Sequence, residues 1–156
     1  ITSIELAAEL AKLGGGLIVD TLELLRDSRL TEKEQDHSKA TYAHLINKED
    51  GHINWNLPGH DILLQIRALH PWPGTFTKST RGILKILKAN YHSHIQGTPT
   101  SAKPGEPHLV AGSFLIRCSD GWIEPLLVQP EGKRAMNIQE YLNGIKNNSE
   151  VDKILS

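Results

Sequence analysis

A chain of 156 residues with a net charge of −1 and 38% hydrophobic residues has the size of one ordinary domain, or of a small domain with an appendage. Its longest apolar runs, Leu17-Ile18-Val19 and Phe114-Leu115-Ile116, exclude a membrane-spanning helix, which needs roughly 18 consecutive apolar residues; the chain reads as soluble, with no membrane partner. The single cysteine, Cys118, excludes an intramolecular disulfide, and its place at the end of the apolar run from Ser113 makes it an inward-facing structural thiol.

The chain opens with helical signals. Leu6, Leu10 and Leu13 recur at spacings of four and three, with Thr2 or Ser3 as N-cap and Glu5 in the first turn. Gly14-Gly15-Gly16 predicts a break, followed by a second helix with Leu17, Ile18, Thr21, Leu22 and Leu25 on one face. Two such helices need a sheet to lean on, and no α/β unit follows to supply it. A chain that starts inside a structured element reads as part of a longer one. Residues 27–40 are polar and charged and read as an exposed linker. A short helix is expected from Asp61 to Leu69, with Ile62, Ile66 and Leu69 on one side and Pro71 beyond its end.

After Pro71-Trp72-Pro73-Gly74 the apolar period falls towards two. Strands are expected at Thr75 to Thr77, Gly82 to Tyr91, Pro107 to Ala111, Ser113 to Cys118 and Trp122 to Gln129. Ser119-Asp120-Gly121 reads as a tight turn in which the glycine supplies a positive φ. A last helix is expected from Asn137 as N-cap, with Glu140 at its third position. The fold class is mainly β with flanking helices, and five such strands suit a small OB-like barrel.

Charge is unevenly spread. Residues 62–105 hold Arg67, Lys78, Arg81, Lys85, Lys88 and Lys103 and no acidic residue, whereas residues 1–39 are net acidic. This window fits a polyanionic partner, or a solvated face whose counter-charges come from elsewhere in the fold. On a regular strand Lys85 and Lys88, three apart, would point to opposite sides. Trp55 and Trp72 sit among prolines and apolar residues and are expected to pack rather than stack.

No catalytic or metal constellation emerges. His92-Ser93-His94 is the one tight histidine pair, without a second cysteine or a His-Glu-x-x-His pattern beside it. Gly14-Gly15-Gly16 lacks the Lys-Ser/Thr of a phosphate loop, and there is no Gly-x-Ser-x-Gly elbow.

Three local motifs point further. They are Gln35-Asp36 with Ala40-Thr41-Tyr42-Ala43, Lys48-Glu49 and Ile53-Asn54-Trp55; then Ile66-Arg67-Ala68-Leu69-His70-Pro71-Trp72-Pro73-Gly74; then Leu127-Val128-Gln129-Pro130-Glu131-Gly132-Lys133-Arg134-Ala135-Met136. In order and spacing the chain resembles the C-terminal part of the methionyl-tRNA formyltransferase family, from near Ile1 to about Asn143. It departs at Glu34, where the family commonly has proline, at Leu45 for lysine, at Asn54 for aspartate, and at Leu69-His70 for Phe-Asn. The resemblance implies that residues 1–26 are two helices from the end of a Rossmann-like catalytic domain. Residues 27–40 would be the linker, and residues 41–156 an OB-like tRNA-binding domain. It implies transfer of a formyl group from formyl-tetrahydrofolate to methionyl initiator tRNA in translation initiation. Donor and catalytic Asn, His and Asp would lie outside these residues, leaving no catalytic residue and no metal here. The implied partners are initiator methionyl-tRNA and the catalytic domain, and the implied place is the cytoplasm, or the mitochondrial matrix for a eukaryotic source. Candidate tRNA contacts are Arg67, Lys78, Arg81, Lys85, Lys88, Lys133 and Arg134. A sugar-nucleotide formyltransferase shares the middle motif and is the alternative within the enzyme class. A free-standing RNA-binding barrel is the alternative outside it.

Overall fold

The computed structural model describes residues 1–145, which fall into two compact units, residues 1–46 and the part from Asn47 onward. In the first unit a single helix, α1 (Ser3–Arg26), carries a full capping box. The Thr2 hydroxyl accepts from the Glu5 N–H, and the Thr2 N–H donates to the Glu5 carboxylate at 2.7 Å. The expected break at Gly14-Gly15-Gly16 is absent, and the helix runs straight through. Each glycine costs a helix about 1 kcal/mol relative to alanine, but it keeps its N–H and clashes with nothing, unlike proline. No residue of α1 is buried; Leu6, Leu10, Leu13 and Leu17 form an exposed apolar stripe. The remainder of this unit is irregular apart from a 3-10 turn at His37–Lys39, capped by the Asp36 carboxylate.

The second unit is mainly β. Its helices are α2 (Gly59–Ala68) and α3 (Ile138–Asn143). Its strands are β1 (Thr75–Ser79), β2 (Gly82–His92), β3 (Pro107–Val110), β4 (Ser113–Arg117), β5 (Trp122–Pro130) and β6 (Met136–Asn137). They form one antiparallel sheet in the order β1-β2-β5-β4-β3, with β6 added against β5. The sheet is not closed: among the described pairings its ends, β1 and β3, do not meet. The backbone around Ile53 bridges the outer edge of β1, with the Ile53 N–H donating to the Phe76 carbonyl at 2.9 Å.

One face of the sheet holds the core. Leu84, Ile86, Phe114, Ile116, Ile123 and Val128 meet Ile62 and Ile66 from α2 and Ile138 and Tyr141 from α3. Met136 packs against this cluster, as a plug from β6 should. Two buried polar groups are satisfied within it. The Thr75 hydroxyl donates to the Ile86 carbonyl at 2.6 Å, and the Trp55 indole N–H donates to the Thr77 hydroxyl at 3.1 Å. Asn137 caps α3 through the Glu140 N–H.

The turn after β4 works differently from its sequence signature. Gly121 does not take a positive φ. It is needed because a side chain there would begin 2.4 Å from the His92 carbonyl oxygen. The neighbouring Asp120 carboxylate accepts from the Gly59 N–H at 2.8 Å, capping α2 from the β4–β5 turn. Cys118 is buried, and its thiol lies 3.4 Å from the same carboxylate; burial pushes its pKa up, leaving it an inert thiol.

Candidate nucleic-acid interface

The face of the sheet opposite α2 is set by strand pairing. On β1, Thr75 and Thr77 are buried towards the core, so Phe76 and Lys78 point the other way, opposite Lys85 and Ile83 of β2. On β2, Leu84 and Ile86 are core residues, so Lys85 is outward, opposite Gln129 of β5.

Regular alternation would turn Lys88 inward, but the register shifts between Ile86 and Lys88 and again between Lys88 and Ala89. Leu87 and Leu126 are the extra residues, one on each strand. A bulge advances the side-chain parity by one, so Lys88 emerges on the same face as Lys85. The partners agree: Lys88 lies opposite Leu127 and Lys85 opposite Gln129, two residues apart on β5. The expectation that these lysines point to opposite sides is therefore corrected. Lys78, Lys85 and Lys88 share one surface.

The other candidate residues relate to this surface unequally. Lys133, in the β5–β6 connection, is tied to its edge because the Gln129 side chain donates to the Lys133 carbonyl at 2.9 Å. Arg81 occupies the β1–β2 turn beside a cavity of about 270 Å³ that also touches Lys133, Glu131, Glu140 and Tyr141. Glu131 is exposed, and its carboxylate accepts from the Ile83 N–H at 3.1 Å. Arg134 is committed to an ion pair with Glu140. Arg67 is exposed on α2, whose buried face packs into the core, so the structure does not bring it to the lysines. Some counter-charge for the acid-free window thus arrives from outside it, and Glu131 lines a hollow together with Lys85.

Further along the same face the chemistry changes. His92 and Asn90 both reach the Glu124 carboxylate, the imidazole at 2.9 Å. Burial pushes the Glu124 pKa up, but hydrogen bonds from His92, Ser113 and Asn90 outweigh it and hold the carboxyl below its ordinary value. Beyond it, Trp122 is buried under the Arg117 guanidinium and the edge of His108. Among the described residues no three His, Cys, Asp or Glu side chains gather as a metal site requires.

One aromatic departs from expectation. Trp55 and Trp122 are 9% and 2% exposed, whereas Trp72 is 58% exposed. Its turn is anchored by its neighbours, Pro73 and Gly74, which are buried, and the indole is left outside. Sequence reasoning placed Trp72 with the packed residues because flanking prolines do not reveal on which side of a turn a ring emerges.

Comparison with known proteins adds three findings. Residues 45–146 match the family described as formyl transferase, C-terminal domain. A methionyl-tRNA formyltransferase of Caldanaerobacter subterraneus subsp. tengcongensis is 38% identical over 136 residues, which are 87% of this chain and 43% of that protein. Its counterpart in Herpetosiphon aurantiacus is 38% identical over 142 residues, 91% of this chain and 45% of its own length. The chain therefore spans less than half the length of these relatives. A crystallised variant of HypX from Aquifex aeolicus shares the fold, with a TM-score of 0.56 and 15% identity over 82% of this chain and 22% of its own.

Proposed function

We infer that this chain, which belongs to the formyl transferase C-terminal domain family, is the tRNA-holding part of a methionyl-tRNA formyltransferase. The observation that carries the reading is the gathering of Lys78, Lys85 and Lys88 on one sheet face by a pair of bulges. A formylating enzyme must hold a large polyanion far from the reacting amine, and lysines on a separate surface supply phosphate contacts without reading sequence. Helical RNA is recognised chiefly through shape and backbone, which needs this kind of surface. Binding energy collected there positions the acceptor end at the catalytic centre. Lys133 extends the contact, followed by Arg81; Arg134 joins at the expense of its Glu140 pair, and Arg67 makes a separate contact.

The exposed stripe of α1 supports the companion reading. Leu6, Leu10, Leu13 and Leu17 need an apolar partner, and residues 1–26 are the closing helix of a catalytic domain whose own surface covers them. Residues 27–40 are then the linker between the two. The protein works with the translation machinery in the cytoplasm.

The formyl donor of such an enzyme, formyl-tetrahydrofolate, binds in this reading to the catalytic domain and not to these residues. No step of the transfer is assigned to these residues.

The test is titration of the chain with a tRNA transcript across salt concentrations, for the parent and for a triple Lys78→Ala, Lys85→Ala, Lys88→Ala variant. Each phosphate contact removed should lower the salt slope by up to about one. A parent affinity that ignores salt, or a triple variant that binds as the parent does, defeats the reading.

A further inference from the structure

We propose that the Trp72 indole is a platform on which an unpaired base of the bound RNA stacks, beside the phosphate contact made by Lys85. The proposal rests on the tRNA-binding reading above and adds a second chemistry to it. Trp72 keeps 58% of its surface in contact with solvent, in a unit that buries its other two tryptophans. A large indole left in water by a fold that shields its siblings is an amphipathic aromatic of the kind enriched at binding surfaces.

The backbone that carries the ring is constrained. Pro71 and Pro73 fix φ on either side of it, and the Gly74 N–H donates to the Leu69 carbonyl at 2.9 Å, closing the turn onto the end of α2. Little backbone freedom remains to be lost on binding, which favours affinity.

Position supplies the last element. The Lys85 ammonium lies 3.9 Å from where a Gly74 side chain would begin, so the lysine runs along the turn two residues from Trp72. Phe76, opposite Lys85 on the same face, continues the surface towards Lys78. A nucleotide whose phosphate meets Lys85 can lay its base on Trp72. Pairing a cationic track with an exposed aromatic is how proteins bind single-stranded nucleic acid without choosing a sequence. The ligand class is an unpaired nucleotide of a structured RNA, not the double-helical stem.

Two probes separate the contributions: a tRNA transcript, and a blunt RNA duplex with no unpaired base. Trp72→Ala should weaken binding of the transcript by roughly 5- to 150-fold, the range for loss of one stacked base. It should leave duplex affinity, the salt slope and the melting temperature unchanged. Trp72→Phe should recover most of the loss. Parent tryptophan fluorescence should be quenched by the transcript, and that quench should vanish in Trp72→Ala while shielded Trp55 and Trp122 still emit. Transcript affinity equal to the parent's, equal losses on both RNAs, or a melting temperature several degrees lower would each overturn stacking. If Trp72→Ala binds normally while the triple lysine variant does not, stacking falls and the basic surface stands. If the parent binds neither RNA, the tRNA-binding reading falls and stacking falls with it.

Discussion

Replacing Asp120 by alanine should destabilise the second unit by about 1–2 kcal/mol, although the residue is exposed and lies outside the hydrophobic core. The magnitude follows from what it holds. Helix α2 starts after Pro58, which offers no capping side chain, so one of the unpaired N–H groups at its start depends on a tertiary acceptor. Asp120 is that acceptor, at 2.8 Å from the Gly59 nitrogen. Loss of a helix cap costs about 0.5–2 kcal/mol, and Gly59 is buried against Tyr91, which makes rehydration of its N–H harder. For a unit of this size about 1–2 kcal/mol corresponds to roughly 5–10 °C of melting temperature. Asp120→Asn keeps a neutral acceptor and should lose about 0.3–1 kcal/mol, the charge–dipole part. The pH dependence has a definite sign. The Gly59 N–H, helped by the Cys118 thiol, holds the Asp120 carboxyl below its ordinary value of 3.8. A carboxylate with a depressed folded pKa stabilises fully above its unfolded pKa, and the contribution fades as pH falls through the folded value. Thermal unfolding followed by circular dichroism at pH 7 and near pH 2 should therefore show a gap between parent and Asp120→Ala that narrows in acid towards that between Asp120→Asn and Asp120→Ala, because the protonated carboxyl keeps a neutral acceptor oxygen. Equal melting temperatures at pH 7, or a gap as wide near pH 2 as at pH 7, would refute the cap.

Gly121→Ala should cost about 1–3 kcal/mol, the range for overpacking, because the added carbon meets the His92 carbonyl, a backbone atom that cannot swing aside; urea unfolding measures it. The isolated 156 residues should not formylate methionyl-tRNA, since the resemblance puts the catalytic Asn, His and Asp outside them. Formylation by the purified chain, free of host enzyme, would contradict that.

The strands were legible because their apolar alternation and flanking Gly, Pro and Ser are local signals, and all five expected strands formed. The capping residues Thr2 and Asn137 were legible for the same reason. What escaped depended on partners distant in the chain. Leu87 carries no signal of a bulge; Pro125, beside Leu126, does, because proline inside a central strand is found essentially at bulges, but which residues are extra is a property of how β2 and β5 pair. The shared face of Lys85 and Lys88 was therefore invisible until that pairing was known. Gly121 looked like a conformational glycine in a turn, but its constraint comes from the backbone of β2. The three glycines of α1 signal a break by propensity, yet about 1 kcal/mol apiece does not end a helix. Of the candidate contacts, the run of positive charge was plain in the sequence. The commitment of Arg134 to Glu140 and the separation of Arg67 were not. Trp72 shows the same limit from the other side, since burial is decided by how the turn lies on the domain.

The central claim is that the lysine face collects tRNA for a formyl transfer carried out elsewhere. Its most direct test is steady-state formylation of methionyl-tRNA by the enzyme in which this chain is joined to its catalytic domain. Parent and the triple variant at Lys78, Lys85 and Lys88 would be compared at two salt concentrations. The account predicts a lower kcat/KM for tRNA in the variant, dominated by a higher KM, and a difference that shrinks as salt rises. An unchanged kcat/KM at low salt would contradict it.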